Sequence, residues 1–87
     1  MRKITFHPDA WEEYVYWQRE DRQILKRINQ LVSDTCRNGN EGIGKPEPLR
    51  GDLSGFWSRR ITQEHRLVYS ITEEDVVIVS CRFHYGR

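Results

Sequence analysis

Five short stretches of this 87-residue chain carry side chains able to move protons or hold a phosphate. They are Lys45-Pro46-Glu47-Pro48, the Arg59-Arg60 pair, His65-Arg66, the single Arg82, and His84-Tyr85. Together they supply a carboxylate, imidazoles, several guanidiniums and a phenol. Gathered on one surface, that set suits cleavage of RNA without a metal. A base removes the ribose 2′-OH proton, guanidiniums neutralise the phosphorane, and an acid protonates the leaving 5′-oxygen. Arginine fits the middle role because its planar fork donates two parallel hydrogen bonds to phosphate oxygens. Each group also has a plainer use. Glu47 between two prolines makes a rigid extended turn, Arg66 on a strand can pair with Glu64 or Glu73, and a terminal His84 or Tyr85 can be solvated or packed.

Composition narrows the field. Net charge is only +1, which excludes a generally basic, nucleic-acid-coating protein. The makeup of the positive charge says more than its sum, for 11 of the 14 basic residues are Arg. From Lys45 to Arg66 five basic residues (Lys45, Arg50, Arg59, Arg60, Arg66) face three acids, with His65 among them. Three Trp, four Tyr and three Phe argue for a packed core in spite of a mean hydropathy of −0.80. No apolar run approaches the ~20 residues that span a bilayer, and the N-terminus lacks an apolar signal-peptide stretch. A single cytoplasmic domain over residues 1–87, with no membrane attachment, is the expectation. Cys36 and Cys81 stand alone, without C-x-x-C or a His at ligand spacing, and read as small core residues. No H-E-x-x-H, G-x-S-x-G or Gly-rich phosphate loop is present, so neither a metal nor a cofactor is expected.

The elements that must position these groups follow from periodicity. Arg2–His7 reads as a first strand. Pro8-Asp9-Ala10 opens a helix, with Pro in the first turn and an acid to complement the dipole. On its wheel Trp11, Tyr14, Val15 and Trp17 form a core stripe and Tyr16 falls outside. A second helix carries Ile24, Leu25, Ile28, Leu31, Val32 and Thr35 on one face and ends near Asn38-Gly39. Residues 38–48 read as a loop. Phe56–Thr62, His65–Ile71 and Val76–Tyr85 read as strands joined by short antiparallel turns. Arg66 should leave the open sheet face, opposite the side of Leu67, Tyr69 and Ile71. The implied fold class is α+β. An N-terminal strand and a helical hairpin pack on one face of a curved antiparallel sheet, and Arg and His line the other.

Four blocks of sequence then carry a resemblance. Gly44-Lys45-Pro46-Glu47-Pro48-Leu49, Leu53 to Ile61, Glu64 to Tyr69 and Cys81-Arg82-Phe83-His84-Tyr85 resemble the Txe/YoeB family of toxins, and Trp11 to Trp17 matches that family's first helix. The resemblance covers essentially the whole chain. It implies a microbial-ribonuclease-like fold of the RelE superfamily and an mRNA interferase that cuts mRNA in the ribosomal A site. It places the general base at Glu47, the phosphate clamp at Arg66 and the general acid at His84, with Tyr85 orienting substrate or supporting His84. Lys45, Arg50, Arg59, Arg60, His65 and Arg82 would contact RNA or ribosome. Implied partners are a YefM-like antitoxin, the ribosome with its mRNA, operator DNA through the antitoxin only, and a second copy in a homodimer. Two other readings share the same charges: a ribosome or RNA binder that inhibits translation without cutting, and a protein acting mainly as antitoxin partner in autoregulation. The extra Gly86-Arg87 adds a flexible residue and a charge beside the proposed acid.

Overall fold

The computed structural model describes residues 1–84, and its core is organised by a helical hairpin laid on a sheet. Helix α1 (Pro8–Glu20) starts at the proline, with the His7 ring accepting from the Asp9 N–H. Its buried residues are Ala10 and Trp17, with Tyr14 partly buried between them. That is an i, i+4, i+7 stripe narrower than the expected one. Trp11 is 50% exposed, a correction to its place in the core, and Tyr16 packs against the core after all. The small Ala10 decides the matter. It lets α1 approach the sheet closely enough for the Cys81 thiol to reach the Ala10 carbonyl, and Trp11 is rotated outward onto Phe6 and Tyr14.

Asp21 alone joins the helices. Its N–H closes α1 on the Trp17 carbonyl, while its carboxylate accepts from the Gln23 and Ile24 N–H groups to open α2 (Arg22–Asn38). A cap of this kind contributes about 1 kcal/mol. Helix α2 buries Ile28, Leu31, Val32, Thr35 and Cys36, as its periodicity implies, and stops at Gly39, where φ is 69°.

The sheet has five strands in the order β1-β5-β4-β3-β2. These are β1 (Lys3–Phe6), β2 (Glu47–Pro48), β3 (Trp57–Arg60), β4 (Arg66–Ile71) and β5 (Asp75–Ser80). Strands β2 to β5 pair antiparallel, whereas β1 joins parallel to β5, so the sheet is mixed. Two expectations shift. Glu47-Pro48, read as loop, is an edge strand on β3, a place where prolines are tolerated because no ladder N–H is required of them. The last strand ends at Ser80 rather than Tyr85, and the chain turns at Phe83, where φ is 62°. A bulge at Val68/Tyr69 twists β5 against β4 just before that turn.

Register decides which side chains face the helices. Trp57 pairs with Tyr69 and Arg59 with Leu67, and all four point to the helix side. Arg59 is therefore buried at 0% exposure. All five of its N–H donors are used. Nε reaches the Tyr69 hydroxyl (3.2 Å), Nη1 reaches Asp34 Oδ2 (2.6 Å) and the Ile43 carbonyl (2.9 Å), and Nη2 reaches the carbonyls of Gly39 (2.6 Å) and Glu41 (2.9 Å). Burial would raise the Asp34 carboxyl, but hydrogen bonds from Arg59, the Ile43 N–H and Asn38 outweigh it and hold the group below its usual range. Gly42 and Gly44 allow the loop to close on this pair. A Cβ at Gly44 would stand 2.6 Å from a Leu31 methyl, in a backbone conformation that side chains rarely adopt.

Removing Arg59 strands a carboxylate and three carbonyls, so Arg59→Leu should cost about 3–5 kcal/mol in urea unfolding, with Arg59→Lys recovering only part. A midpoint equal to wild type for Arg59→Leu would contradict this. Because folding lowers the Asp34 pKa, its ionisation stabilises the fold above the ordinary aspartate value, and that contribution is lost as pH falls through the lowered folded value. Asp34→Asn should accordingly be less stable at neutral pH and show a shallower acid limb in stability against pH.

Candidate active site

The opposite sheet face is built by the same register. Glu47 on β2 lies beside Ser58 on β3, and Arg60 on β3 lies beside Arg66 on β4. Since side chains alternate along a strand, Ser58 and Arg60 share this face and Arg59 cannot. These residues and two more, Lys45 and His84, line one cleft of about 100 Å³. Ser58, only 3% exposed, lies deepest among them. The cleft thus brings together a carboxylate, an imidazole, a hydroxyl and three cations.

Each rim is set by an uncommon backbone. Lys45 has φ 52°, and the Arg60 N–H donates to the neighbouring Gly44 carbonyl at 2.7 Å, seating the 44–47 stretch against β3. Phe83, immediately before His84, is the other non-glycine residue with positive φ among the described residues. Such residues cost about 1–2 kcal/mol each and persist where their surroundings dictate the conformation. Glu47 and His84 enter the cleft from opposite sides, one on β2 and the other beyond β5, with β3 and β4 between them.

Arg66 is half-buried, and its Nη1 donates to the carbonyls of Thr62 (2.6 Å), Gln63 (3.2 Å) and His65 (3.1 Å). Its guanidinium is anchored by one nitrogen at the turn, where a freely exposed fork was expected. Among the described residues its hydrogen bonds all use Nη1, so Nε and Nη2 keep their N–H groups for a ligand. His84 is exposed, with Nε2 3.3 Å from the Gln63 carbonyl, a contact it makes as donor when that nitrogen carries the proton.

Of the expected RNA contacts, Lys45 and Arg60 line the cleft, and Arg50 flanks Glu47 in a neighbouring open groove. Two others, Arg59 and His65, are corrected, and Arg82 lies elsewhere. Arg59 is sealed in the interior. His65 is 7% exposed, its ring edge-on to Trp17 and its Nδ1 accepting from the Phe83 N–H. Arg82 does not line the cleft, and its guanidinium lies 3.8 Å above the Tyr16 ring on α1. Tyr85 lies outside the described residues. Ser58 escaped the sequence reading although its signal was available in the two-residue spacing to Arg60. Glu13 escaped it as well. Its carboxylate accepts the Cys81 N–H across 68 residues, and burial raises its pKa despite that bond and the nearby Arg82. The buried Cys81 thiol is pushed up to about 12, so it stays protonated at neutral pH and is no nucleophile. Among the described residues no three His, Cys, Asp or Glu side chains converge on one point.

Comparison with known proteins adds to this geometry. The toxin YoeB of Escherichia coli (strain K12) is 54% identical to the chain over 83 residues, covering 95% of this chain and 99% of that protein. A solved YoeB dimer from Staphylococcus aureus superposes with a TM-score of 0.90 at 49% identity, over 97% of this chain and 98% of that one. A YoeB-YefM complex from the same species gives 0.89 at 48% identity, over 98% and 99%. The model of YoeB-like toxins of bacterial type II toxin-antitoxin systems matches residues 6–85, and with the fold in agreement, the chain belongs to that family.

Proposed function

We propose that the protein is an endoribonuclease that cuts mRNA in the ribosomal A site, and that the cleft between β2 and the 81–84 segment is where it does so. What supports this reading is the convergence of Glu47, Arg60, Arg66 and His84, from four separate stretches of chain, on one small cleft. A surface that only bound RNA would gain from the cations and lose by the carboxylate.

In the proposed reaction Glu47 takes the 2′-OH proton and the 2′-oxygen attacks phosphorus. The bond to the leaving 5′-oxygen breaks as His84 donates a proton to that oxygen, giving a 2′,3′-cyclic phosphate and a 5′-hydroxyl. The free Nε and Nη2 donors of Arg66 hold non-bridging oxygens whose charge grows in the transition state, which is where a fixed fork is most effective. Lys45, Arg60 and Arg50 hold the RNA backbone on either side. Tyr85 follows His84 directly and supports it or the substrate. Proton transfer and charge neutralisation complete the chemistry, so no metal is required. By likeness to the Staphylococcus aureus proteins, a YefM-like antitoxin is the neutralising partner and a homodimer the free form. The antitoxin would carry any operator contact, and the site of action would be the cytoplasm.

With net charge +1 the protein neutralises few phosphates by itself, so naked RNA should be bound weakly and the ribosome should supply positioning. Primer extension on translating ribosomes beside naked mRNA checks this, and equal rates on both would refute the dependence. Glu47→Ala and His84→Ala should each slow single-turnover cleavage by about 10²–10⁴-fold with ribosome binding kept. Cleavage within a few-fold of wild type for both would remove the assigned roles. Arg66→Ala should lose roughly 10²–10³-fold, and Arg66→Lys should restore little of that because it keeps the charge and loses the fork. Since Nη1 also braces the turn, thermal unfolding of both variants belongs beside the kinetics. A wild-type rate for Arg66→Lys would sink the clamp.

A further inference from the structure

The segment that carries His84 is held without a strand ladder, since β5 ends at Ser80. Helix α1 fixes its beginning: Glu13 Oε1 accepts the Cys81 N–H at 2.8 Å, and Trp17 Nε1 donates to the Cys81 carbonyl at 2.9 Å. The other end is fixed at Phe83. The Arg66 N–H donates to the Phe83 carbonyl at 3.1 Å, and the Phe83 N–H donates to His65 Nδ1 at 2.7 Å.

That last bond is chemically selective. An amide N–H can donate only to an unprotonated ring nitrogen, so Nδ1 is bare and the ring proton sits on Nε2, 3.6 Å from Glu64 Oε1. The ring is also immobilised. Its centroid lies 4.8 Å from that of Trp17 and 5.4 Å from that of Phe83, with the residue 7% exposed. Phe83 holds a left-handed conformation, and only its ψ and the φ of His84 separate its amide from the Cβ that carries the imidazole. What holds the Phe83 amide therefore bears on where the His84 Cβ stands.

We propose that His65 is a positioning residue for the cleavage reaction: its bare Nδ1 holds the Phe83 amide and so sets where His84 stands over the cleft. The inference rests on the reading of His84 as the proton donor. It gives the imidazole buried between α1 and the 81–84 segment a task distinct from RNA contact.

Two measurements test it. In the nitrogen-15-labelled wild-type protein, His65 Nδ1 should appear as an unprotonated ring nitrogen with a coupling to the Phe83 amide across the hydrogen bond. A protonated Nδ1, or no coupling, overturns the proposal whatever the protein does to RNA. Single-turnover cleavage on programmed ribosomes is then compared for His65→Phe, which keeps the ring's bulk without an acceptor, and His65→Asn, which puts an amide oxygen where Nδ1 lay. His65→Phe should lose about 10- to 100-fold in rate at unchanged ribosome affinity, the scale of a small misplacement of a reacting group. His65→Asn should recover most of that loss. A wild-type rate for His65→Phe, or a His65→Asn no faster than His65→Phe, overturns the proposal. Should His65→Phe fail to fold, the coupling in wild type decides alone. If wild type itself cuts no RNA on ribosomes, the proposed function fails, and the coupling still decides whether His65 holds the segment.

Discussion

Everything on the cleft side of the sheet depends on one guanidinium on the other side. Arg59 is the point where α2, β3, β4 and the 39–43 loop meet, through Asp34, its own strand, Tyr69 and three loop carbonyls. A buried cation is costly to desolvate, and a single carboxylate rarely compensates by itself. Here every donor has an acceptor, so the cation acts as a fastener with a defined geometry. The loop it fastens leads into Lys45 and Glu47. The position of the carboxylate in the cleft is thus determined from the interior, by a residue that no substrate can touch.

The two rims of the cleft are built on the same plan with different materials. Lys45 precedes Glu47 by two residues and Phe83 precedes His84 by one, and both adopt a backbone conformation unfavourable to side-chain-bearing residues. In each case neighbouring hydrogen bonds impose it: Arg60 to Gly44 on one side, Arg66 and His65 to Phe83 on the other. The strands contribute Glu47, Ser58, Arg60 and Arg66 in regular register, and the irregular backbone leads into the carboxylate and supplies the imidazole. Regular structure supplies charge at fixed spacing, while the strained segments aim the groups that would exchange protons.

Much of this was legible beforehand, and the exceptions have physical reasons. Helix α2 was plain because its apolar residues keep a 3.6 period over most of its length. The β3–β4–β5 hairpins were plain because their joints are short. Five of the expected residues, Lys45, Glu47, Arg60, Arg66 and His84, do meet on one cleft, Arg60 and Arg66 because alternation on β3 and β4 is a local property. The Arg59-Arg60 pair is divided between the two sheet faces, because adjacent strand residues face opposite ways. The burial of Arg59 could not be read, because its acceptors lie 10 to 25 residues away in sequence. Glu47-Pro48 reads as loop because two prolines and four nearby glycines hide a two-residue strand. The parallel pairing of β1 had no local signal at all, for Ile4 lies beside Val76.

That pairing has a consequence in time. Strand β5 sits between β1 and β4, so the first strand to leave the ribosome has no partner until almost the last one follows. Contacts of such sequence separation are slow to form because their loop entropy must be overcome first. The same late stretch brings Cys81 to α1 and His84 to the cleft. A nascent chain therefore carries the carboxylate and the arginines before it carries either a closed sheet or the imidazole. Closing the sheet and completing the cleft are therefore one event, because the stretch that supplies β5 also carries Cys81 to α1 and His84 to the cleft.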